Sequence, residues 1–149
     1  MPFYFLSSFV CFIEYVNVSP QIFGYIVMMW IGIAAINLAI AVILGAFGAH
    51  GLKSFATPEQ LAWWNTATQY FFYHALGLFL LGLLNKSAPA LPVKLPFVLI
   101  QLGILFFCGS LYIMALGLPR ILGVITPIGG AFMIAGWIVL AWQAFKHAK

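Results

Sequence analysis

Residues 50–84 read HGLKSFATPEQLAWWNTATQYFFYHALGLFLLGLL, and this stretch decides the class of fold. It contains a polar restart, Thr57-Pro58-Glu59-Gln60. Thr57 can cap a helix, Pro58 suits its first position, and Gln60 is placed to close a capping box. Glu59 sits favourably at the positive end of the helix. From Leu61 to Leu84 there is then no Asp, Glu, Lys or Arg. About 20 helical residues cross a bilayer, so this run is long enough to span one. It is continuously apolar rather than alternating, which predicts a helix and not a barrel strand.

Working outward, three further runs have the same character: residues 28–48, within an apolar segment from Ile22, then 96–118 and 121–145. Their composition agrees, with 65% of the chain hydrophobic and 5% charged, against roughly 25% charged in a soluble domain. A soluble fold of 149 residues cannot hide that much apolar surface. The predicted fold is therefore all-α and integral to a membrane, with four antiparallel transmembrane helices at about 28–48, 61–84, 96–118 and 121–145. The segment NKSAPALPVKLP (residues 85–96) is a short wet loop. Gly117-Leu118-Pro119-Arg120 allows only a tight reversal, so spans three and four should be antiparallel neighbours.

The net charge is +4, from six bases and two acids. The bases are scattered singly and form no stripe, which excludes nucleic-acid binding. They read instead as markers of membrane orientation. Lys86, Lys94, Lys146 and Lys149 lie on one side, Lys53 and Arg120 on the other. The positive-inside rule then places both ends of the four-helix unit in the cytoplasm. Residues 1–27 form an apolar extension interrupted by Glu14, Asn17, Pro20 and Gln21. They lack the basic flank and cleavage site of a signal peptide. The expectation is a mis-assigned start, with translation beginning at Met28 or Met29.

The second span carries the chain's polar side chains. At 100° per residue, Asn65, Thr66, Gln69, Tyr70, Tyr73 and His74 share about half the helix circumference. Such a face should point at other helices, because polar groups facing lipid are costly. It is either interhelical hydrogen-bond glue or a binding or conduction surface. His74 lies about 24 Å from the helix start at 1.5 Å per residue, deep in the hydrocarbon. His50 and Lys53 close the first span, where positive charge is favoured at a helix C-terminus, and extend the candidate polar or ligand face: His50, Lys53, Asn65, Gln69, Tyr70, Tyr73 and His74. Trp63 and Trp64 belong in the headgroup belt. Ala41, Gly45 and Ala49 recur every four residues. Gly45, Gly48, Gly51, Thr126, Pro127, Gly129, Gly130 and Gly136 are read as helix-packing and helix-end positions. Gly51 suits a left-handed helix end, and Thr126 can satisfy backbone groups freed by Pro127. Asn37 is read as a lone interhelical hydrogen-bonding residue.

Catalytic chemistry has little to work with. Asp is absent and the only carboxylates are Glu14 and Glu59, so no acid–base pair or triad assembles within one chain. Two imidazoles, one interfacial and one deep, with no third ligand nearby, do not make a haem or metal site. No catalytic residue, metal or cofactor is expected. Cys11 and Cys108 form no redox or zinc motif.

The segments LGAFGAHGLK, TPEQLAWWNTATQYFFYHALGLFLLGLL, FFCGSLY and TPIGGAFMIAGW, in that order, resemble the domain of unknown function 423 family. This is the YgdD/YwdK-like group of small bacterial inner-membrane proteins, with mitochondrial relatives. The resemblance runs from about Trp30 to Trp142 and implies a four-helix multi-pass membrane protein. It supplies no reaction, ligand or catalytic residue. It implies the bacterial inner membrane as location, with the mitochondrial inner membrane as the alternative. The functional expectation is a non-enzymatic structural, assembly or accessory subunit acting through helix–helix contacts. Its partners would be the lipid bilayer and a homo-oligomer or larger membrane complex. The alternative is a small oligomeric conduit using the polar face of the second span, with His74 as a proton-sensitive element.

Overall fold

The computed structural model describes residues 20–147, apart from the side chains of residues 20–23 and 26. The expected mis-assigned start concerns residues that lie mostly outside this range. Among the described residues the chain forms four long helices: α1 (Pro20–His50), α2 (Pro58–Ser87), α3 (Lys94–Ala115) and α4 (Ile125–His147). Short 3₁₀ turns, Leu52–Ser54 and Arg120–Val124, lead out of α1 and into α4. All four helices are long and apolar enough to cross a membrane. α1 starts eight residues ahead of the expected span at Met28, and α4 starts at Ile125 rather than Ile121.

The start of α2 and the end of α3 have clear local causes. Thr57 caps α2 through the expected reciprocal pair: Gln60 N donates to Thr57 Oγ1 at 3.3 Å, and Thr57 N donates to Gln60 Oε1 at 2.8 Å. Pro58 fills the first position, where a missing N–H costs nothing. After α3 the chain reverses at Gly117, whose φ of +90° strains any residue with a Cβ. Gly51, expected to be left-handed, is not: its φ and ψ are −75° and −58°. The chain stays right-handed there because it continues into the 3₁₀ turn that buries Leu52 completely. What Gly51 supplies is room, since the Phe47 ring lies 2.8 Å from where its Cβ would stand.

Helices adjacent in sequence pack together, α1 on α2, α2 on α3 and most extensively α3 on α4. The buried side of α1 carries Val27, Trp30, Ala34, Asn37, Ala41 and Gly48, with Leu44 packed against the core. Their spacing alternates between three and four residues, the seam of left-handed helix packing. Ala49 falls off this seam and is exposed, so the small-residue register runs through Ala41 and Gly48. α3 is buried on two sides, with Phe97, Ile104 and Cys108 in the main core and Gly103 against α4.

The α3–α4 crossing is close because glycines meet there. A Cβ on Gly129 would collide with the backbone of Phe107, and one on Gly103 would stand 2.9 Å from Gly129 O. One on Gly136 would lie 2.7 Å from Ile100 Cγ1. Gly130 sits beside the Phe107 ring at an ordinary 3.7 Å, and Gly45 beside Thr68 at 3.6 Å, so neither is sterically required. Pro127 occupies the first turn of α4 and frees no backbone group. The Thr126 hydroxyl therefore does not rescue its own helix; it bonds Ser110 Oγ of α3 at 2.7 Å.

Candidate functional site

The polar side chains separate into those facing into the bundle and those facing out. Most of the inward ones are bonded across helices, whereas Gln143 Oε1 of α4 is buried with no hydrogen-bond partner among the described residues. Asn37 Nδ2 of α1 donates to Gln101 Oε1 of α3 at 2.7 Å, with Asn37 only 7% exposed. The Tyr112 hydroxyl donates to Thr68 Oγ1 at 3.1 Å, joining α3 to α2. Trp64, placed in the headgroup belt from sequence, is 3% exposed and turns inward. Its Nε1 donates to Leu44 O at 2.9 Å, and its indole occupies the space that a Cβ on Gly48 would need. The glycine and the tryptophan are thus one device, joining α1 to α2.

A cleft of about 280 Å³ lies beside the amide pair, lined by Asn37, Leu44, Phe71, Gln101, Cys108 and Tyr112. Apart from these bonded polar groups and the buried Cys108 thiol, the lining is hydrocarbon. It offers no acid, base or ligand set for chemistry. Among the described residues, no group of three or more His, Cys, Asp or Glu side chains comes together.

At one end of the bundle the two reversals are clamped together. Arg120 Nη2 bonds Glu59 Oε2 at 2.7 Å, and its guanidinium lies 5.5 Å from the centre of the Trp63 ring. A shallow hollow of about 630 Å³ lies between them, lined by Thr57, Trp63, Gly117, Pro119 and this ion pair. Both charged side chains stay more than half exposed, so the clamp contributes little energy. His50 and Lys53 are exposed at this end.

The α2 face is where the structure departs most from expectation. The buried side of α2 runs through Trp64, Ala67, Phe71 and Leu78. Asn65, Gln69 and Tyr73 lie roughly opposite Ala67 and Phe71 at 100° per residue, and all three are exposed. The stripe thus points away from the bundle instead of at its other helices. Tyr70 and His74 turn toward α3 and α4. Tyr70 packs 4.9 Å from the Phe107 ring, and His74 6.2 Å from Trp137, between ring centres. His74 Nδ1 is 2.7 Å from Tyr70 O, one turn earlier. Gly77 makes room for Trp137, whose ring would stand 2.8 Å from a Cβ there. The candidate residues therefore do not form one site: His50 and Lys53 lie at the end, three residues face out, and Tyr70 and His74 pack in a groove.

Sequence reading passed over Gly103 and Gly82. Gly103 lies against Met133 and Gly129, and Gly82 against Ile31. The signal for both was residue size at helical spacing, which polarity does not reveal.

The family model described as "Protein of unknown function (DUF423)" matches residues 44–130. A UPF0382 membrane protein of Staphylococcus epidermidis is 44% identical over 120 residues, covering 80% of this chain and 98% of the relative. The UPF0382 membrane protein YwdK of Bacillus subtilis is 43% identical over 120 residues, with the same coverage. A UPF0382 membrane protein of Staphylococcus saprophyticus is 44% identical over 118 residues, 79% of this chain and 98% of the relative. No solved structure matches the chain.

Proposed function

The chain belongs to the DUF423 family of membrane proteins, and from that premise we propose that it is a non-enzymatic assembly or structural subunit of the bacterial inner membrane. It acts by helix–helix contact, with both ends of its four-helix unit in the cytoplasm. The observation that carries this reading is the outward stripe on α2. Asn65 and Gln69 are exposed within a helix of membrane-spanning length, where lipid offers no hydrogen-bonding partner. Another transmembrane helix does offer one.

The conduit reading needs a polar track from Lys53 past Gln69 to His74. Gln69 faces out of the bundle while His74 packs against Trp137 and holds Tyr70 O, so one protomer does not line such a track. Catalysis is disfavoured by the same inventory: Asn37, Gln101, Tyr112, Thr68, Ser110 and Thr126 are amides and hydroxyls already bonded across helices.

Extraction of the full chain into native nanodiscs tests the proposal. The expected result is an assembly larger than one protomer, whether of like or unlike chains. A monodisperse monomer with no companion protein would overturn it.

A further inference from the structure

The exposed side of α2 is more specific than a generic contact. Asn65, Gln69, Tyr73, Leu76, Leu80 and Leu83 all lie on it and all are exposed. Their spacing, four, four, three, four and three residues, follows the seam of a left-handed helix pair. This is the same kind of repeat that α1 uses inside the bundle, left here without a partner among the described residues.

Depth sharpens the point. α2 has 30 residues, about 45 Å at 1.5 Å per residue. Centring a hydrocarbon slab of about 30 Å on it leaves Gln69 about 5 Å from the midplane and Asn65 about 11 Å from it. Thr66 on the same helix bonds its own Ala62 O at 2.9 Å. Among the described residues no side-chain hydrogen bond ties Asn65 or Gln69 to the protomer. Their amides need a partner at two defined depths.

We propose that this partner is a second copy of the chain, docked α2 against α2 about a two-fold axis along the membrane normal. The proposal rests on the assembly reading above and names its surface and occupant. Copies inserted with the same topology are parallel in the bilayer, so each residue near the axis meets its own equivalent at the same depth. A closed two-fold interface pairs a patch with itself. A carboxamide carries both donors and an acceptor, so Asn65 can bond Asn65 and Gln69 can bond Gln69. No Asp, Glu, Lys or Arg occurs between Leu61 and Asn85 to repel its copy. A different protein would have to present polar groups at both depths, which a second copy does by construction. The leucines Leu76, Leu80 and Leu83 continue the seam toward the other end of α2.

The test uses the full chain in native membranes with Cys11 replaced by Ser. Gln69→Cys and Leu76→Cys are compared with Ile36→Cys, an outward position on α1, under mild oxidation. The expected result is a covalent dimer of twice the protomer mass from the two α2 variants, with Ile36→Cys remaining monomeric. In a separate dilution assay by energy transfer, Asn65→Leu/Gln69→Leu should weaken dimerisation about eightfold, the loss of two interhelical amide contacts. A cross-link from α2 to a different protein would overturn the second copy while leaving the assembly reading in place. An absent cross-link in a monomeric protein would overturn both. An undiminished dimer in the double leucine variant would overturn the role of the amides.

Discussion

Asn37 and Gln101 show what a single polar residue does inside this bundle. From sequence Asn37 is a lone amide in an apolar span; in the structure Gln101 meets it at 2.7 Å. Their bond joins α1 to α3, two helices that are not neighbours in sequence. Interhelical side-chain bonds in membranes average about 0.6 kcal/mol and reach about 1.7. Replacing Gln101 by Leu strands a buried amide, so it should destabilise the bundle by about 1 kcal/mol. Asn37→Leu/Gln101→Leu should cost less than the sum of the single changes, because no amide is left unpaired. Unfolding midpoints in detergent titration measure this; strict additivity would mean that the bond contributes nothing. His74 carries the contrasting lesson. Its distance along α2 was readable from the sequence, whereas its packing against Trp137 depends on a residue 63 positions away.

At the level of elements, the capped start of α2 was legible and helix faces were not. The capping box at Thr57 involves residues three apart, so the sequence contains all of its parts. Thr57→Ala should cost about 1 kcal/mol of stability. The helix-packing readings were mixed. Gly48, Gly129 and Gly136 lie at close approaches; Gly45 and Gly130 do not. Which glycine is required depends on where two helices cross, and a single helix does not encode its crossing point. Gly129→Leu must push α4 away from the Phe107 backbone and should lower the unfolding midpoint strongly. Gly130→Ala should leave it nearly unchanged. Equal effects at the two positions would contradict the crossing described here.

For the whole molecule, orientation is the property most directly open to test. Among the described residues Lys86, Lys94 and Lys146 lie at one end of the bundle and Lys53 and Arg120 at the other, and the proposed orientation puts the more basic end in the cytoplasm. A reporter fused after Lys149 should be active only in the cytoplasm; activity on the outer face would invert the topology. The Glu59–Arg120 clamp would then lie on the opposite side of the membrane from that proposed.

The number of spans and the membrane class were determined by the sequence alone, and the span limits only to within eight residues. The reason is local: in hydrocarbon every backbone group must bond within its own helix, so a long uncharged run specifies a span without reference to the rest of the chain. Which face of each span is buried was decided only by the tertiary structure. Lipid and protein interior are equally apolar, so polarity does not distinguish them; burial follows size and fit, as at Gly48 beneath Trp64 and at Gly103 against Gly129. That is why Asn65 and Gln69, expected to face the neighbouring helices, face outward from the bundle.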